Sequence, residues 1–236
     1  MIPVADNVFL FTRKKSLVTY SLIFLNITVF LWELKLEIGN ELGYFINNWG
    51  LIPTGISGAV TTAISGNPAA WIAVLMRSTG LLTGMFLHGS FAQILGNMLF
   101  LWVFGNTLEK IIGHQKFLAL YLTGGILTGV IQIFCEPNLT VPLIGANGAI
   151  ASILGAYIFK FPKVKIDSVL PLLIVFIPIQ IPAFYYLLWW FIQQLFYGIG
   201  SLNIPPNGVN QFSLAYWMQA IGILIGVAYM RFLKHR

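Results

Sequence analysis

Residues 143–157 read LIGANGAIASILGAY. The run carries no charge, and Asn147 stands between Gly145 and Gly148 at its start. Such a run sits in lipid or in a packed core, where an amide is costly unless hydrogen-bonded. A helix over residues 147–161 covers about 22 Å at 1.5 Å per residue, short of a hydrocarbon layer of about 30 Å. Its first turn must then lie below one membrane surface. Backbone at that depth is tolerated only beside protein or water, so the loop 142–148 is expected to line a water-filled cavity.

Composition makes a membrane the expected setting. Of 236 residues, 58% are hydrophobic and 8% charged, whereas a soluble domain carries about 25% charge. The chain cannot cover itself with polar surface, and it reads as one integral membrane domain over residues 1–236. The net charge of +6 does not indicate nucleic acid. Arg13, Lys14, Lys15, Lys110, Lys116, Lys160, Lys163, Lys165, Arg231, Lys234 and Arg236 make 11 of the 13 basic residues, and they cluster at alternate ends of the apolar segments. That is the positive-inside pattern, and it puts both termini in the cytoplasm. Cys135 is the single cysteine, which excludes an internal disulfide and suggests a buried structural thiol. Three scattered histidines with one cysteine offer no metal-ligand spacing. No cofactor is implied.

The expected architecture is all-α, with six transmembrane helices over residues 16–34, 90–104, 116–134, 147–161, 183–199 and 212–233. The first outer loop is long; residues 35–80 suit short helices at the outer interface. The fourth helix is short and starts at membrane depth. Pro171, Pro178 and Pro182 exclude one straight helix over 166–200, so 166–181 reads as an interfacial or re-entrant lead-in. Gly222 and Gly226 let a neighbouring backbone approach closely, and Gly148 and Gly155 offer a matching face on span four. Close packing of spans four and six follows.

Polar residues within the spans are few. Gln93 and Asn97 lie four apart on span two and share a face; Asn147 opens span four; Gln219 precedes Gly222 on span six. They read either as interhelical hydrogen-bonding amides, worth about 1 kcal/mol each or less, or as the lining of a polar chamber.

Three segments carry a resemblance: FLHGSFAQILGNMLFLWVFGNTLEKIIG (86–113), GANGAIASILGAYIFKFP (145–162) and AYWMQAIGILIG (215–226). They resemble the core of the rhomboid intramembrane serine proteases, closest to bacterial and cyanobacterial members. The Gly105-x-x-x-Glu109-x-x-x-Gly113 pattern and the Gly145-Ala146-x-Gly148 helix start are the specific marks. The resemblance implies the rhomboid fold and a bacterial plasma membrane. The family's nucleophilic serine falls at Asn147, its histidine base at Gln219, and its oxyanion-stabilising His-x-x-x-Asn pair at Gln93 and Asn97.

An amide has no ionisable proton to give a base, so Asn147 is no nucleophile. Gln219 shuttles no proton near neutral pH. The three replacements are expected to hydrogen-bond one another and keep the chamber satisfied. Ser152 lies on a different helix face from Asn147, and Ser90 and Ser213 belong to no motif. His88 suits a structural bond to the long loop, and His114 and His235 fall at cytoplasmic ends. The reading is a rhomboid-like pseudoprotease that binds lipid and the transmembrane segments of other membrane proteins. The rival is an active intramembrane serine endopeptidase with a variant active site. A solute carrier is disfavoured, because no span shows broken repeats or internal charges.

Overall fold

The computed structural model describes residues 1–9, 15–172, 175–202 and 213–234, with side chains left undescribed for 171–172, 175, 193–202 and 213–218. Arg13, Lys14, Phe212, His235, Arg236 and the Ser213 side chain therefore lie outside the described residues.

The chain is mostly helical, and a helix stands at each expected span. These are α1 (Leu17–Ile38), α6 running through a π turn (Leu101–Gly105) into α7 (Phe91–Phe100, then Asn106–Ile112), α8 (His114–Cys135), α9 (Asn147–Lys160), α10 (Ala183–Leu202) and α11 (Ser213–Lys234). Among the described residues, Leu17–Ile38, Phe91–Ile112 and His114–Cys135 are long and apolar enough to cross a membrane, each with 22 residues. Such a helix is about 33 Å long. Between α1 and α6 the chain forms short helices α2 (Leu42–Trp49), α3 (Pro53–Ile64), α4 (Ala70–Ser78) and α5 (Gly80–Thr83).

Two boundaries differ from the sequence reading. The second helix continues past residue 104 to Ile112, because its polar end is satisfied by a neighbour. Glu109 is fully buried, and its carboxylate accepts from Val18 N–H (2.8 Å), Thr19 N–H (2.7 Å) and Thr19 Oγ1 (2.6 Å). The first turn of α1 has no cap of its own. Glu109 supplies one from α7, a carboxylate on the positive end of a helix. Cys135 is exposed, not buried, at the last residue of α8.

The larger correction concerns residues 166–181, and with it the all-α reading. They form a β-hairpin, β2 (Lys165–Leu172) and β3 (Val175–Pro182). The N-terminal strand β1 (Ile2–Asp6) pairs antiparallel with β2, giving a three-stranded sheet in the order β1-β2-β3. Ile166, Val169, Val175, Ile177, Ile179 and Ile181 are β-branched and favour extended backbone. The prolines leave no uninterrupted stretch long enough for a stable helix.

The centre of the molecule is α9. All residues from Ala149 to Tyr157 are buried. One side is held by α11 at backbone contact: a Cβ at Gly226 would overlap the Ser152 carbonyl, and one at Gly155 the Ile223 carbonyl. A Cβ at Gly222 would lie 2.7 Å from that of Ala151. The expected close packing of the fourth and sixth helices is thus realised through their glycines.

Candidate functional site

Above the start of α9 lies a cavity of about 540 Å³. The loop before α9 forms one wall. It is fixed by a bridge to the long connection, with Leu51 N–H to Leu143 O (3.1 Å), Leu143 N–H to Leu51 O (2.7 Å) and Gly145 N–H to Gly84 O (2.9 Å). Gly145 has φ +114°, and a Cβ there would overlap Gln93 Nε2. Both facts demand glycine.

Gln93, Asn147 and Gln219, from three helices, line this one cavity. They do not bond one another as expected. Gln93 is taken by backbone: its Nε2 donates to Ile144 O (3.1 Å) and its Oε1 accepts from Gly89 N–H (2.9 Å). It pins the loop before α9 to the start of α6, whose N-cap is Ser90, accepting from Gln93 N–H at 3.2 Å. Asn147 is half-buried, and its side chain has no partner among the described residues. Gln219 is 9% exposed, and its Oε1 is buried without a partner. A cavity of this size separates the amides and leaves two of them open to an occupant.

Asn97 does not line the cavity. Its Nδ2 donates to His88 Nε2 at 3.2 Å, while His88 Nδ1 lies 3.3 Å from Phe86 O. A carbonyl only accepts, so Nδ1 carries the proton and Nε2 is the acceptor. Burial pushes the His88 imidazole down to about 4, so it is neutral at physiological pH. Its backbone N–H donates to both Glu33 carboxylate oxygens at 3.1 Å. His88 and Asn97 thus lock the end of the long connection onto α1 and α6, the structural role expected for the histidine.

Thr128 and Gln132 on α8 also line the cavity and were not singled out from the sequence. Their i, i+4 spacing on an apolar helix was the available signal. Gln132 Nε2 donates to Glu136 (3.0 Å), and Thr128 Oγ1 to Gly124 O (2.9 Å). Ser152 does not line the cavity. It is fully buried and donates to Ala149 O at 2.7 Å. Two hydroxyls, Ser90 and Thr128, do line it. Among the described residues no imidazole lines it, since His114 pairs with Glu109 at the far end of α7. The described lining residues include no histidine, aspartate, glutamate, lysine or cysteine, the side chains that most often take a proton near neutral pH.

Comparison with known proteins matches the Rhomboid domain family to residues 75–236. A zebrafish protein, presenilin-associated rhomboid-like protein A, mitochondrial, is 34% identical over 96 residues, 40% of this chain and 25% of the relative. Rhomboid protein 1, mitochondrial, of Saccharomyces cerevisiae is 29% identical over 160 residues, 66% of this chain and 39% of the relative. Putative rhomboid protease YdcA of Bacillus subtilis is 34% identical over 79 residues, 34% of this chain and 39% of the relative. The chain thus spans between a quarter and two fifths of the length of these relatives.

Proposed function

The chain belongs to the rhomboid family, and from that premise we propose that it is a pseudoprotease. It binds transmembrane helices of other membrane proteins without cutting them. The observation that carries this reading is a cavity lined by Gln93, Asn147 and Gln219, with no imidazole among its described lining residues. These amides stand where the resemblance puts histidine, serine and histidine. The rival, an active serine endopeptidase, needs a base that the described residues do not provide.

Client helices enter at the seam between α6 and α10. Trp190 closes it against Phe100, with ring centroids 5.9 Å apart. Phe184 and Trp189 face outward, 44% and 49% exposed. Photo-crosslinkers at Phe184 and Trp189 are expected to form adducts with single-span membrane proteins. Adducts with lipid alone, across a whole membrane proteome, would leave the protein without clients and sink the proposal.

The host membrane is proposed to be a bacterial plasma membrane crossed six times, with both termini cytoplasmic, on the basis of the charge clusters. In a Cys135→Ala background, cysteines at Lys14, Lys163 and Lys234 should resist an impermeant thiol reagent in intact cells. Labelling at 234 but not at 14 would require an odd number of spans.

A further inference from the structure

α10 meets the second helix through two aromatic contacts, one turn apart on each side. Trp190 packs on Phe100, and Tyr186 packs on Phe104 in the π turn, with ring centroids 6.3 Å apart. Before these contacts the start of α10 is pinned to the loop after α9. Ala183 N–H donates to Val164 O (2.6 Å) and Phe184 N–H to Pro162 O (3.0 Å). With its start fixed, α10 widens the seam by tilting about residues 183–184.

β1 lies across the seam near that pivot. On one side it packs against α6 and the π turn. Asp6, at its end, accepts from Thr107 Oγ1 (3.0 Å) on α7 and from Tyr157 OH (2.7 Å) on α9. On the other side it pairs with β2, from Ile2 opposite Val169 to Asp6 opposite Ile166. Met1, next to the strand, accepts at its carbonyl from Tyr186 OH (3.2 Å). That bond falls just beyond the pivot, on the residue whose ring makes the nearer aromatic contact. One short strand thus joins both sides of the seam.

The strand itself is lightly held. Of its five residues only Pro3 is buried. Pro3 has no N–H to give the ladder, and the register shifts between Pro3 and Ala5, which leaves Val4 opposite no residue of β2. An element with so little buried apolar surface opens at lower cost than the helices around it.

We propose that β1 is a strap across the seam between α6 and α10: while Asp6 and Met1 keep their bonds it holds α10 against the second helix, and its release lets α10 tilt outward to admit a client helix. The proposal rests on the reading that clients enter at this seam. With both ends bonded, α10 cannot leave Phe100 and Phe104 without drawing β1 off the second helix or off β2.

Two measurements in the full chain, with Cys135→Ala and in phosphatidylcholine vesicles, test it. Spin labels at Leu95 and Leu188, exposed on α6 and α10, report the width of the seam without any client. The parent should give one narrow distance distribution. Asp6→Ala and Tyr186→Phe should each add a population longer by several ångström, with helical circular dichroism unchanged. Tyr186→Phe keeps the ring on Phe104 and removes one hydroxyl, so it reads the strap even if Asp6→Ala fails to fold. A parent-like distribution in Tyr186→Phe would overturn the strap. The second measurement joins Asp6→Cys to Thr107→Cys, two positions whose side chains are bonded in the parent. Reduction leaves that end of β1 free, and oxidation ties it to α7. A photo-crosslinker at Trp189 should form several-fold fewer adducts with single-span proteins in the oxidised form, and reductant should restore them. Equal, non-zero yields in both forms would overturn the strap as a control of entry. No adduct in either form, with the seam widened in Tyr186→Phe, would sink client entry and support the strap.

Discussion

Asn147→Ser introduced alone is expected to leave the protein unreactive toward a fluorophosphonate probe. The new hydroxyl would enter the cavity, but Gln219 offers only a carboxamide, which takes no proton at neutral pH. Gln219→His alone should be equally inert, for want of a nucleophile. The pair should recover weak labelling, and Gln93→His added to it should raise the rate by roughly 10²-fold, the usual effect of one oxyanion donor. Non-additivity of this kind marks residues that act as a unit. Gln93 complicates only the last step: its side chain also ties Ile144 O to Gly89 N–H, so its replacement must preserve that loop. Labelling of the unmodified protein, abolished by Ser90→Ala or Ser152→Ala, would show that the active site lies elsewhere and that the protein is a protease.

Glu109→Ala should be among the most destabilising single changes, costing about 3 kcal/mol. It removes the side-chain cap that Glu109 gives α1 and strands Val18 N–H and Thr19 N–H at a buried helix junction. Each buried donor left unpaired costs about 1–3 kcal/mol. Glu109→Gln keeps one acceptor oxygen and should lose roughly half as much. Denaturation in a mild-detergent and SDS mixture, followed by helical circular dichroism, reads both. An alanine variant as stable as the parent would mean that water replaces the carboxylate without cost, and that the junction is wetter than its burial indicates.

Much of this was legible in the sequence because lipid restricts what a chain can do. Apolar length located Leu17–Ile38, Phe91–Ile112 and His114–Cys135, the helices long and apolar enough to cross a membrane among the described residues, and the shortness of the segment from Asn147 pointed to the cavity that its opening loop borders. The spacing of Gly222 and Gly226 disclosed the backbone contact with α9. Glu109 was visible as part of a motif but not as a cap, because its partners, Val18 and Thr19, lie some 90 residues away. The hairpin was hidden for a related reason. Its apolar run has neither a clean alternation nor a turn signal, and in a chain this hydrophobic the run looked like a broken helix. The amides were found, but not their bonding. Gln93 is satisfied by carbonyl and N–H groups of the backbone, which no side-chain pattern reveals.

The π turn at Leu101–Gly105 has a rotational consequence for the second helix. Gln93 and Glu109 are sixteen residues apart. At about 100° per residue they would point about 160° away from each other on a regular α-helix. The wider turn absorbs about one residue, which brings them to within about 60°. One rod can then face inward twice, with a carboxamide at the cavity and a carboxylate at the foot of α1. Were the wider turn ironed out, one of these two groups would swing toward the outside, and the helix would have to choose between its chamber and its neighbour.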